Sequence, residues 1–167
     1  MSLTRRKMEA GCLLVFALLG ACSGQQDRIR YSTAQQDDER VAAMYEMRAI
    51  GVELVTMFED KNLESSRIRE LTAQLKKQAD ALPRHFAYTP NPKRQPPPAT
   101  KAAIWTEPAD FQKAMATFQR KSRNLAATVD ATADSELDSL WPVLVDTGDS
   151  CTACHEQFRV GGDPSHE

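Results

Sequence analysis

Apolar residues recur at helical spacing along most of this chain, in four blocks separated by breaks. In the first block, from Ala34 to about Lys61, Val41, Met44, Arg48, Gly51, Val55 and Phe58 follow a three-then-four spacing. Met47, Ile50 and Leu54 widen that stripe. Asp37, Asp38 and Glu39 stand near its start, where the helix macrodipole favours acids. The second block runs from about Leu63 to Leu82, with Ile68, Leu71, Leu75, Ala79 and Leu82 inward, and Pro83 is predicted to end it. The third carries Phe111, Met115, Phe118, Ser122, Leu125 and Val129. Thr106 is its predicted cap, and Pro108 falls in the first turn, where a missing N–H costs nothing. A link around Thr132 to Ser135 leads to the fourth block, whose inner face is Leu137, Leu140, Leu144, Gly148, Cys151, His155 and Phe158. Pro142 should kink that helix or delay its start, because it donates no hydrogen bond and collides with the carbonyl of Asp138.

The stretch from Pro83 to Glu107 holds Pro90, Pro92, Pro96, Pro97 and Pro98, and is expected to cross the bundle as an extended, partly mobile loop. Phe86 and Trp105 are expected to pin its two ends to the core. Four amphipathic helices, joined by short links and one long crossing, predict an all-α antiparallel four-helix bundle over residues 34–160. Residues 161–167 carry no stripe and read as a disordered tail.

Composition narrows this picture. The chain has 167 residues, enough for one domain with an adequate core, and 7% aromatic residues with few β-branched runs favour helices over sheets. The amino terminus reads as an export signal over residues 1–21. Met1 to Lys7 is a basic segment, and Gly11 to Gly20 is apolar but too short to span a bilayer. It ends in Leu19-Gly20-Ala21-Cys22, which resembles the bacterial lipobox, so Cys22 is the expected lipidation site and residues 22–33 a lipidated tether. An ordinary signal peptide with an incidental Cys22 is the alternative. Acyl chains on Cys22 would hold the protein to a membrane. Ser23 then slightly favours the outer membrane, and the expected location is the periplasm. Removing residues 1–21 takes away three cations and one anion, so the net charge falls from −2 to −4. No nucleic-acid-binding surface is expected from such a balance, and a mildly acidic carrier suits a partner with a basic docking patch.

The chemistry is concentrated near the carboxy terminus. Cys151-Thr152-Ala153-Cys154-His155 is the attachment signature of a c-type haem. Two thiols three residues apart lie within one helical turn and can both reach one porphyrin, with the adjoining imidazole under the iron. A partial zinc site or a thiol–disulfide pair could use the same residues. The other histidines are His85 and His166 and the other cysteines Cys12 and Cys22, so a fourth zinc ligand is not evident. No strands are expected for a redox βαβ unit. Glu46 and Glu53 read as charges on a solvated face and His85 as a surface histidine. No acid–base pair for an enzyme is evident.

Four features together resemble the class II cytochromes c, the cytochrome c prime family and its methionine-ligated, low-spin relatives. The haem motif is carboxy-terminal and continues through Phe158 and Arg159; the second helix closes with Leu82-Pro83-x-x-Phe86; Ile104-Trp105 precede Pro108-x-x-Phe111; and the first helix contains Arg40-Val41-Ala42-Ala43-Met44. The similarity covers about Ala34 to Arg159. It implies one haem c held covalently by Cys151 and Cys154, His155 as proximal iron ligand, and residue 44 facing the other side of the iron. In this family a leucine there leaves a five-coordinate iron that binds nitric oxide or carbon monoxide, whereas methionine closes the sixth position. Met44 is therefore the candidate distal ligand, Met47 the runner-up and Met57 too far along the helix; core packing is the alternative for each. Arg40 and Arg159 are candidates to pair with a haem propionate, Arg159 from the same helix face as His155. Electron transfer is the expected function, with redox partner proteins in the periplasm or membrane, and gas binding or sequestration is the alternative. The family also includes homodimers built on the first two helices. Val41, Pro142 and the long proline-rich loop depart from the family pattern.

Overall fold

The computed structural model describes residues 30–93 and 99–161. The proposed signal segment, Cys22, most of the tether and the tail beyond Gly161 lie outside the described residues, as do Pro96, Pro97 and Pro98.

Helix α1, Ala34–Glu59, opens with a capping box: Thr33 Oγ1 accepts from the Gln36 N–H, and the Gln36 side chain accepts from the Thr33 N–H. Its buried face is Arg40, Ala43, Met47, Ile50, Leu54, Met57 and Phe58. The expected stripe was centred one position away, and Val41 and Arg48 are in fact exposed. Helix α1 is apolar over more than half its circumference, so periodicity alone does not orient it. The partner helix does. Glu53 pairs with Arg67 at 2.6 Å and Glu46 accepts from Gln78, which sets one flank of α1 against the second helix. The Arg67 guanidinium holds the Glu53 carboxyl below its usual range.

Helix α2, Ser65–His85, buries Ile68, Leu71, Leu75, Ala79 and Leu82 as its pattern predicts. It does not stop at Pro83, which sits inside its last turn. A proline there leaves the carbonyl four residues back without its helical donor. That carbonyl, of Ala79, accepts instead from Gln119 Nε2 at 3.0 Å, and the helix continues.

The crossing starts at Phe86 and closes with a one-turn helix α3, Ala103–Thr106. Its first leg pairs Thr89 with Tyr31, and its second pairs Thr100 with Arg159. Its ends also meet each other: Trp105 Nε1 donates to the Phe86 carbonyl at 3.3 Å. Helix α4, Pro108–Ala131, carries proline in its first turn, but Thr106 does not cap it. The N-cap position belongs to Glu107, and Thr106 Oγ1 bonds back to Ala102 at the end of α3.

A 3₁₀ segment, Asp134–Leu140, precedes helix α5, Trp141–Phe158. Pro142 occupies the first turn of α5, so it delays the helix rather than kinking it, and Asp138 O accepts from the Trp141 N–H instead. Leu137, Leu140, Leu144 and Phe158 are buried as expected, but Gly148 is exposed, and Thr147 and Ser150 take inward positions. Their hydroxyls donate to Val143 O and Thr147 O, so burial leaves neither donor unmet.

Helices α1, α2, α4 and α5 form an antiparallel four-helix bundle. α2 packs along α4, α4 along α5 and α1 along α2, whereas α1 and α5 touch sparingly. That seam is the thin side of the bundle. No described helix is long and apolar enough to cross a membrane.

Candidate haem site

The residues of the haem motif fall on the last two turns of α5. Cys151 packs against the main core, with its sulfur 3.9 Å from Thr147 O. Cys154 packs against a second, aromatic cluster of Ile104, Phe111 and Phe158. Burial there pushes its thiol up to about 11. Phe86 and Phe111 stack edge to face at 4.8 Å, and Phe111 and Phe158 at 5.2 Å, giving this end of the bundle a stiff apolar floor. His155 is half-buried beside Cys154, and its carbonyl accepts from the Arg159 N–H at 2.9 Å.

The opposite wall comes from α1, and a ring pair sets its register. Phe58, in the last turn of α1, and Trp141, at the start of α5, lie with centroids 6.1 Å apart. The two helices run antiparallel from that point. Met44 is fourteen residues before Phe58 and His155 fourteen after Trp141. At the helical rise both lie about 21 Å from the ring pair and therefore at one level.

Among the three candidate methionines of α1, Met44 is half-buried on the flank turned away from α2, towards the seam. Met47 and Met57, each 8% exposed, are built into the main core. Arg40, the candidate for a haem propionate, is 3% exposed. It pairs with Asp37 at 2.6 Å, reaches the His85 carbonyl at 3.5 Å and stands 5.8 Å from the Phe86 ring centroid. Arg159 follows the last helical residue in extended conformation, φ −101° and ψ 137°, so it does not share the helix face of His155. It belongs instead to the short pairing with Thr100. His85 is half-buried rather than a surface group, and that burial holds its imidazole below the usual histidine value.

These residues fit a covalently held haem. Two thiols and an imidazole line one side of a thin seam, and apolar and aromatic side chains surround them. Among the described residues, no three His, Cys, Asp or Glu side chains gather as a group that could hold a metal ion. Residues that periodicity did not single out also build the site. Trp141 sets the register, and Gln119 keeps α2 intact across Pro83. The signal for Gln119 was the proline itself, which implies a carbonyl in search of a donor.

The family model described as Cytochrome C' matches residues 35–159. A curated relative, cytochrome c' of Alcaligenes xylosoxydans xylosoxydans, is 38% identical over 56 residues, which are 34% of this chain and 42% of the relative; the match thus spans less than half of that protein. Among solved structures, cytochrome c' from Rubrivivax gelatinosus superposes with a TM-score of 0.60 at 19% identity, covering 72% of this chain and 91% of that one. A carbon monoxide-bound variant of cytochrome c prime from Alcaligenes xylosoxidans superposes with a TM-score of 0.62 at 20% identity, covering 78% and 98%. A variant of the same protein with bound nitric oxide gives 0.61 at 21%, covering 74% and 92%. At these identities the structural likeness speaks for the fold, while the family match covers the whole described bundle, motif included. The chain belongs to the cytochrome c' family, four-helix haem proteins that carry one covalently attached haem c.

Proposed function

We propose that this protein carries electrons in the periplasm through a haem held by Cys151 and Cys154, with His155 as proximal and Met44 as distal iron ligand. The observation that carries this reading is the shared level of Met44 and His155 across the α1–α5 seam, with Met44 on the seam flank and Met47 in the core. When bound, the haem supplies a one-electron couple, and a thioether on its iron raises the reduction potential and preserves the coordination in both oxidation states. The chain's part is positional. α5 presents both thiols and the imidazole from one turn, α1 brings a thioether to the same level, and the aromatic floor limits water. Such a site exchanges electrons with little rearrangement.

A second reading is favoured by the nitric oxide and carbon monoxide complexes among the solved relatives. In it the sixth position is open or Met44 is displaceable, and the protein binds or sequesters a diatomic gas. Absorption spectra of the purified ferric and ferrous protein, with and without carbon monoxide, separate the two. Low-spin spectra in both states and no response to the gas support the carrier; a high-spin ferrous spectrum that shifts on adding carbon monoxide overturns it.

Lipidation at Cys22 would tether the carrier to a membrane, with the outer membrane favoured by Ser23, and would leave the bundle free to meet redox partner proteins. Cys22→Ser is expected to move the protein from the membrane to the soluble periplasmic fraction, and continued membrane association refutes the anchor.

A further inference from the structure

The carboxy-terminal end of a helix normally leaves its last carbonyls without donors and frays. In α5 that end bears Cys154 and His155, and two of its last carbonyls, those of Glu156 and Phe158, accept from outside the helix. Lys101 donates twice: its backbone N–H to Phe158 O at 2.9 Å and its ammonium to Glu156 O at 2.8 Å. Val160 N–H returns a bond to Ala99 O at 3.3 Å, and Thr100 bridges to Arg159. Residues 99–101 are thus a short strap laid antiparallel to 158–160. It is anchored in turn by α3, where Ile104 N–H donates to Lys101 O and Ile104 is buried beside Phe158.

We infer that Lys101 is a positioning residue for the haem iron, fixing the turn that carries His155 and adding a positive charge at that turn's carbonyl end. The inference rests on His155 as the proximal ligand and is independent of what occupies the sixth position. Two physical effects follow. A helix end tied by two hydrogen bonds to the 99–101 strap, with a third just beyond it, fixes the rotation of its last turn, and with it the orientation of the His155 ring. A cation one residue from His155 along the backbone disfavours the extra positive charge of the ferric state, and the local helix-terminal dipole holds it there. Lys101 therefore supports the reduced form.

The test compares the holoprotein with Lys101→Met, which keeps the stem but loses donor and charge, and with Lys101→Arg, which keeps both. The readouts are the midpoint potential and the electron paramagnetic resonance spectrum of the ferric protein, whose g-values report the orientation of the axial ligands. The expected result is a lower potential and shifted or broadened g-values in K101M, both restored towards wild type in K101R. A K101M protein that only melts earlier, with wild-type potential and g-values, overturns the inference. Amide exchange on the wild-type holoprotein is a second measurement that needs no variant. Slow exchange at Lys101 and Val160, in step with the last turn of α5, supports the strap, and exchange as fast as an open loop overturns it. A high-spin, histidine-ligated wild-type spectrum overturns the Met44 assignment alone; a spectrum without axial histidine overturns both.

Discussion

Phe58 and Trp141, tilted at 39° with centroids 6.1 Å apart, join the last turn of α1 to the first turn of α5. Everything the seam does depends on that contact, because it sets which residues of the two helices come level. Phe58 is 3% exposed and Trp141 36%, so the pair is anchored from the α1 side. Phe58→Ala is expected to cost about 3–5 kcal/mol, the usual range for emptying a buried aromatic position. Chemical denaturation of the holoprotein measures it, and a loss below about 1 kcal/mol would show that the register is held elsewhere.

Met44 and Met47 should separate cleanly on substitution. Met44→Ala is expected to open the sixth position, giving a high-spin ferrous spectrum that responds to carbon monoxide with only a modest loss of stability. Met47→Ala should leave the spectrum as it is and destabilise by about 2–5 kcal/mol, since it empties a core site. The reverse pattern would make Met47 the ligand.

Gln119 and Pro83 act through a carbonyl neither of them owns. Gln119→Leu leaves Ala79 O buried without its donor, at a cost of about 1–3 kcal/mol. Pro83→Ala supplies a backbone N–H that can bond the same oxygen. In the Pro83→Ala background, Gln119→Leu should therefore cost about 1 kcal/mol or less. Equal costs in both backgrounds would mean that the hydrogen bond is incidental.

His85 makes the bundle sensitive to mild acid. Its imidazole is held below the ordinary histidine value of about 6.5, mainly by burial and next by the neighbouring Arg84 cation. The unfolded chain therefore takes up a proton at His85 more readily than the folded one. Its contribution to stability is fully present above about 6.5 and is lost as the pH falls through and below that value. Thermal melts at pH 7.5 and 5.5 should show a fall that is smaller in His85→Gln, and an undiminished fall would assign the effect to other groups.

What was legible in the sequence was whatever depends on a residue and its near neighbours. The helices at α2 and α4 and their inward faces follow from apolar spacing, the late start of α5 follows from Pro142, and the haem-attachment motif is read from Cys151, Cys154 and His155. Each rests on short-range geometry. Helix α1 was different. Its apolar residues leave two neighbouring stripes equally plausible, and the choice between them was made by α2 through Glu53–Arg67 and Glu46–Gln78. Reading every apolar or small residue as inward also misplaced Gly148 and overlooked Thr147 and Ser150, whose hydroxyls are satisfied within their own helix.

The sequence by itself determined that four helices form, that a haem-attachment motif lies at the far end of the last, and which methionines were eligible to reach it. Only the tertiary structure decided that Met44 lies level with His155 while Met47 is core, that Pro83 lies within a helix, and that Arg40 is buried. The reason is physical. A helix specifies its own hydrogen bonds and periodicity locally, but its rotation, its register and the partners of its leftover polar groups are set by contacts between residues tens of positions apart.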